Sequence, residues 1–260
     1  GAGQSLGRRA GPSDGWRRTI TVDRMGKVDN QTRVLTPRVL LLSFLFVVVG
    51  PFLPLLISQQ WDWWQAWVYA VVSIVGFVIS RALAARRHPD LLAERARSLQ
   101  TRENAKPWDK TLAPIVALGG SLVALAAGLD ARYGWSAGFG LPVELLALAV
   151  LVAGYALGSY ALIENAYFSG VVRIQADRGQ HVVSSGPYRW LRHPGYAGTL
   201  LAYLATPFLL DSAWALLPAL FLAAVLILRT RLEDQTLQAE LDGYRDYAQR
   251  VRYRLLPGVW

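Results

Sequence analysis

The residues of this chain best suited to chemistry fall in two short stretches towards its C-terminal end. The first is polar and turn-rich: Ser184-Ser185-Gly186-Pro187-Tyr188-Arg189-Trp190-Leu191-Arg192-His193-Pro194-Gly195-Tyr196. Gly186-Pro187 enforces a turn and two tyrosines bracket the histidine. Gly195 leaves backbone accessible beside a proline suited to the first helical turn, so a ligand can approach main-chain donors there. The second stretch holds Arg229 and Glu233, four apart and therefore on one helical face where an apolar run ends. A third polar feature is the Glu164-Asn165 step. An arginine and a carboxylate at that depth are costly unless paired or solvated. The plain alternative is a snorkelling arginine in an exposed salt bridge worth about 0.2–0.5 kcal/mol. Arg192-His193-Pro194 has a plain alternative too, a juxtamembrane cation, an interfacial imidazole and a helix-starting proline. The same tripeptide recurs at Arg87-His88-Pro89, so Arg-His-Pro alone carries little.

Other chemistries are excluded. The chain has no cysteine, which removes disulfides, thiolate nucleophiles and cysteine-ligated metals. Its three histidines, His88, His181 and His193, have no metal-ligand spacing. There is no phosphate-binding glycine loop, nucleophile elbow or dinucleotide fingerprint. Any cofactor must be held in a membrane-specific way.

With 53% hydrophobic and 17% charged residues, the chain is too apolar for an ordinary soluble domain. Charge-free runs able to cross a ~30 Å hydrocarbon core occur at 39–57, 63–80, 111–129, 145–163, 194–210 and 212–228. The last two are separated only by Asp211 and predict a tight helical hairpin. The expected fold is all-α: a multi-pass integral membrane bundle of about six transmembrane helices, with a cofactor site on the cytoplasmic side. Residues 1–37 read as an unstructured segment, and 1–24 as an extension before the single methionine, Met25. Residues 38–163 read as a four-helix anchor and 164–260 as the catalytic region.

Lysine and arginine set the orientation, because cationic loops stay cytoplasmic. Eight precede the first run, eight lie in 81–110, four in 164–193 and six from Arg229 onward, against Arg132 alone on the other side. Both termini are expected in the cytoplasm. The net charge of +9 then reflects membrane retention and lipid-headgroup contacts, and no nucleic acid is needed to explain it. Gly50-Pro51 and Pro54 should kink the first span, while Trp61, Trp63, Trp64 and Trp67 form an interfacial belt. Residues 86–95 read as a surface helix, and 171–183 show some strand-like alternation broken by Asp177-Arg178-Gly179. Leu237, Leu241, Tyr244, Tyr247, Val251 and Leu255 recur at helical spacing and predict an amphipathic tail.

At these residues the chain resembles the isoprenylcysteine carboxyl methyltransferase family, in particular its prokaryotic branch. The match is carried by Gly186-Pro187-Tyr188, Arg192-His193-Pro194-Gly195-Tyr196 with Gly198, Arg229 with Glu233 and Leu237, and Gly243-Tyr244 with Tyr247 and Val251. The resemblance implies an integral-membrane enzyme using S-adenosylmethionine. It implies that Gln175, Gln180, His181, Val182, Val183, Tyr188, His193, Pro194, Gly195, Tyr196 and Glu233 bind the cofactor, and that Arg229 is the catalytic residue meeting a lipophilic or small methyl acceptor. The acceptor is left open between a prenylated cysteine, a phospholipid amine, a small thiol or another lipid acid. Sterol reductases that use NADPH resemble the same region and form the alternative enzyme reading. A non-enzymatic membrane scaffold is the third, and the spans carry no internal ionisable residue marking a translocation path.

Overall fold

The computed structural model describes residues 44–101 and 105–260, with isolated positions 1, 3 and 41. The expected N-terminal segment, its eight cations, Met25 and the start of the first span lie outside the described residues. From 44 onward the chain forms one unit. Among the described residues eight helices follow one another: α1 (Leu45–Ser58), α2 (Trp64–Arg87), α3 (Pro89–Thr101), α4 (Asp109–Tyr133), α5 (Leu141–Glu164), α6 (Pro194–Leu209), α7 (Leu216–Glu240) and α8 (Tyr244–Arg250). There is no β-strand among the described residues.

Three of these, α2, α4 and α5, are long and apolar enough to cross a membrane. Large apolar side chains such as Val71, Val75 and Val78 on α2, Leu118 and Leu122 on α4, and Leu145 and Leu146 on α5 point outward, as in helices whose solvent is lipid. The chain is an integral membrane protein. Of the six expected spans, three are met by these helices, while the runs at 39–57, 194–210 and 212–228 hold α1, α6 and α7. The first run holds a helix, α1, interrupted by a π turn at Leu45–Val49 and a 3-10 turn at Gly50–Phe52, where Pro51 and Pro54 remove backbone donors. Helix α6 has 16 residues, about 24 Å. Residues 212–215, expected in the sixth span, are spent on the turn instead. Asp211 adopts a left-handed φ of 55°, and Ser212 Oγ donates to the buried Asp130 carboxylate at 2.5 Å. The apolar part of α7 therefore runs only from 216 to 228.

Close helix packing rests on glycine. In α5, Gly154 and Gly158 form a small-xxx-small face, and Gly198 of α6 lies directly against it. A Cβ at Gly154 would stand 2.7 Å from the Gly198 carbonyl oxygen, so the two backbones are in contact. At the α4–α6–α7 junction, a Cβ on Gly119 would meet the Tyr203 hydroxyl at 2.7 Å and Leu222 Cδ2 at 2.8 Å. These contacts fix α6 on α5 and α7 on α4, and so set where the N-terminus of α6 and the charged half of α7 come together.

Two local expectations change. The 171–183 stretch forms no strand and is broken by a 3-10 turn at Ala176–Arg178 that closes on left-handed Gly179. The tail is not one helix: α7 ends at Glu240, Gly243 takes φ 76°, and only Tyr244–Arg250 is helical thereafter. Its apolar residues still converge, with Tyr244, Tyr247 and Val251 packing on Val182, Leu237 and Leu241, while Leu255 joins the main core. The α3 surface helix agrees with the reading of 86–95.

Candidate active site

The loop between α5 and α6 is built largely from main-chain capping. Asn165 Oδ1 accepts from Tyr167 N at 2.8 Å, and its Nδ2 donates to the Tyr188 hydroxyl at 3.2 Å. The Gln175 side chain, 1% exposed, donates to Tyr167 O at 2.7 Å and accepts from Arg178 at 2.6 Å, while its backbone N–H donates to Gln180 Oε1 at 2.6 Å. These bonds consume Gln175 and half of the Gln180 amide in shaping the loop. The Tyr167 hydroxyl reaches His181 Nδ1 at 2.9 Å. Arg173 ties the loop to α3 through Glu94 at 2.6 Å. Glu164, singled out with Asn165, accepts from Ser185 Oγ and lies 3.4 Å from Arg87, so its role is to hold the turn.

The C-terminal tail closes the other side. Arg192 and His193 donate their backbone N–H groups to the Tyr253 and Arg254 carbonyls, both at 3.0 Å, and Tyr247 donates to the Tyr188 carbonyl at 2.7 Å. Beneath this lies Asp234, with no solvent exposure. Arg254 Nε stands 2.9 Å from it, Arg192 Nε 3.2 Å, His193 Nε2 3.3 Å, Gln238 Nε2 2.8 Å and the Tyr244 hydroxyl 3.1 Å. Burial alone would raise the Asp234 carboxyl, but His193, Arg254 and Arg192 outweigh it and hold it well below the usual carboxylate range. Burial, and then the Asp234 charge, push the Tyr244 phenol up, so it stays a donor.

Five residues earlier on α7, Arg229 is also buried. Its Nε and Nη2 grip the Asp109 carboxylate at 2.7 and 3.1 Å, Nη2 also donates to Gly170 O at 3.2 Å, and its guanidinium lies 5.1 Å from the centre of the Tyr196 ring. Asp109, the first residue of α4, also accepts from Val172 N at 2.6 Å. The Tyr196 hydroxyl in turn donates to Glu233 Oε2. A continuous line, Asp109 to Arg229 to Tyr196 to Glu233, thus joins α4, α6 and α7.

Between the loop, α6 and α7 lies a cavity with about 800 Å³ of empty space, part of it open to solvent. Of the residues expected to bind a cofactor, Gln175, Gln180, His181, Val182, Val183, Tyr188, His193, Gly195, Tyr196 and Glu233 line it. Pro194 does not; it is buried as the first residue of α6. Arg229 is also absent from the wall, standing behind Tyr196 with its fork spent on Asp109. Asn165, Phe168, Arg173 and Tyr244, among others, complete the lining. Glu233 Oε1 has no hydrogen-bond partner among the described residues, whereas Asp234, its neighbour, is fully engaged.

This region of the chain is also where its resemblance to known proteins lies. Residues 146–239 match the isoprenylcysteine carboxyl methyltransferase (ICMT) family. The ICMT match starts in α5 and ends one residue short of the end of α7, enclosing the cavity's loop, the Arg-His-Pro start of α6 and the Arg229–Glu233 pair. The chain is also 31% identical over 133 residues to the Delta(14)-sterol reductase TM7SF2 of Mus musculus, covering 46% of this chain and 32% of that protein. It is 39% identical over 61 residues to the uncharacterized protein YpbQ of Bacillus subtilis, covering 23% and 36%. With the lamin-B receptor of Drosophila melanogaster it shares 29% over 124 residues, covering 45% and 17%. The chain spans about a third or less of the length of these curated relatives.

Proposed function

We propose that this chain is a membrane methyltransferase that binds S-adenosylmethionine in the cavity beside Glu233 and methylates a lipophilic or small acceptor, with a carboxylate such as that of an isoprenylcysteine as the best-matched chemistry. The observation that carries this reading is Glu233: a carboxylate on the wall of an aromatic-lined cavity, with one oxygen tied to Tyr196 and the other without a hydrogen-bond partner among the described residues, inside the segment that matches the ICMT family. The donor set fits the cofactor. Aromatic and valine walls suit an adenine, Gln180, His181 and Arg173 offer polar partners, and Glu233 suits a cationic or hydroxylated group.

The bound cofactor would supply an electrophilic methyl on a sulfonium. The protein's part is alignment and exclusion of water, since in-line transfer between charged partners gains most from a fixed geometry in a dry site. Tyr196 orients Glu233, and Arg229 acts through Tyr196 and Asp109 as a positioning residue. A carboxylate acceptor is already ionised at neutral pH, so no general base is required of the protein. We place this end of the bundle in the cytoplasm, on the distribution of lysine and arginine, where a soluble cofactor can enter. The test is incubation of the purified protein with methyl-labelled S-adenosylmethionine and membrane lipid extract. Base-labile label in the organic phase is expected, and its absence from every lipid and thiol extract would sink the proposal.

The match to a sterol reductase supports a second reading, an NADPH-dependent reductase using the same cavity. Protection against thermal unfolding by NADPH, with none from S-adenosylmethionine, would select it.

A further inference from the structure

The segment 251–260 folds back beside the start of α6. Arg192 and His193 donate their backbone N–H groups to the Tyr253 and Arg254 carbonyls, which sets the stretch before Pro194 against this segment. A tight turn follows: the N–H groups of Arg254, Leu255 and Leu256 all donate to the Trp260 carbonyl, those of Val259 and Trp260 donate to the Leu256 carbonyl, and Gly258 takes a left-handed φ of 79°. The base of the turn is anchored. Leu255 is buried, Trp260 packs against the same apolar core, and the Arg254 guanidinium lies 4.9 Å from the Trp260 ring centre.

Its tip is not covered. Leu256 and Val259 are exposed, Val259 to 77%, and on the neighbouring stretch Trp190 is 67% exposed. Arg189 and Arg252 are exposed too, and neither meets a carboxylate among the described residues. Residues 186–196 and 247–260 contain no acidic side chain. Large apolar side chains set beside unpaired cations suit the headgroup layer of a bilayer, where indole and aliphatic groups dip towards hydrocarbon and guanidinium groups stay at phosphate depth. The place in the fold agrees: Trp190 stands four residues before Pro194, at which α6 begins its course through the apolar bundle.

We propose that Trp190 and the Leu256–Val259 tip seat in the adjoining leaflet and that Arg189 and Arg252 hold anionic phospholipid headgroups there. A guanidinium pairs with a phosphate through parallel hydrogen bonds, and each cation near an anionic surface strengthens the attraction roughly fivefold. The Arg254 side chain takes no part, being spent on Asp234. The segment so held is the one whose carbonyls accept from the Arg192 and His193 backbone, so the bilayer surface steadies the closing side of the cavity beside Glu233. The seating holds whichever cofactor that cavity takes.

The chain has no cysteine, so Val259→Cys at this exposed position gives a single attachment point for a fluorophore on the purified full chain in nanodiscs. Quenching is compared between phosphatidylglycerol with brominated acyl chains in a phosphatidylcholine background and the converse mixture at equal mole fraction. Both should quench, and brominated phosphatidylglycerol should do so with a relative binding constant at least fivefold higher. Arg189→Gln combined with Arg252→Gln should bring that ratio to about one. The same two positions changed to lysine should retain most of it. The unfolding midpoint should stay unchanged in both double variants, since both side chains are exposed and unpaired among the described residues. Absence of quenching by either lipid would place the tip in water, and equal quenching by both would remove the anionic partner. A ratio unmoved by the double glutamine change would take the role from Arg189 and Arg252. Each of these three results overturns the proposal.

Discussion

Replacing Asp234 by Asn should be among the costliest single polar changes near the cavity. The side chain is fully buried and is met by Arg192, His193, Arg254, Tyr244 and Gln238, so neutralising it leaves cations facing one another without a counter-charge. Removing one partner of a buried ion pair costs about 3–5 kcal/mol. Arg254 is partly exposed and recovers some solvation, which favours the lower end, about 3 kcal/mol. At roughly 2–4 °C per kcal/mol for a chain of this size, the unfolding midpoint in detergent at pH 7 should fall by roughly 6–12 °C. The pH dependence carries a sign. The folded Asp234 carboxyl lies below its unfolded value, so its contribution is fully present above the ordinary carboxylate range near ~3.9 and is lost as pH falls towards the folded value. The gap between wild type and variant, followed by tryptophan fluorescence on heating, should therefore narrow as pH drops from about 5 to about 3. A midpoint shift under about 2 °C at pH 7, or a gap that widens in acid, would refute the reasoning.

Asp109→Asn should destabilise by about 3 kcal/mol for the same reason, because it strands the buried Arg229 guanidinium; chemical denaturation in mixed micelles would measure it. Gly154→Ala places a methyl within 2.7 Å of the Gly198 carbonyl oxygen and should cost about 1–3 kcal/mol through forced separation of α5 and α6, seen as a lower midpoint with the helical circular-dichroism signal unchanged at 20 °C as an approximate reference temperature. Gly120→Ala, which meets nothing within 4 Å, serves as the control and should be neutral in the same assay.

Much of the cavity wall was legible because its residues are locally patterned. Pro194 starting α6, the Gly186-Pro187 turn and the four-residue step from Arg229 to Glu233 are short-range signals, and the structure brings those stretches to one place. What escaped is what depends on distant partners. Arg229 reads as an available cation until α4 delivers Asp109 from 120 residues away. Asp234 beside Glu233 looks interchangeable with it, yet the two point a helical step apart, one into an ion cluster and one into the cavity. The Gly154-xxx-Gly158 face is a visible motif whose meaning lay in Gly198 opposite. The start of α7 was misplaced because uncharged residues at 212–215 look like helix until their turn and hydrogen bonds to Asp130 are seen. The amphipathic spacing of the tail placed the right residues in one cluster while missing the break at Gly243, whose positive φ ends helical continuity.

The central claim, that the cavity beside Glu233 is a cofactor site for S-adenosylmethionine, is tested most directly by calorimetric titration of the purified chain and its Glu233→Gln variant with S-adenosylmethionine and, separately, with NADPH. The account predicts saturable binding of S-adenosylmethionine to wild type, at least tenfold weaker binding to the variant with its unfolding midpoint retained, and no heat from NADPH. Undiminished binding by Glu233→Gln, or saturation by NADPH alone, would contradict it.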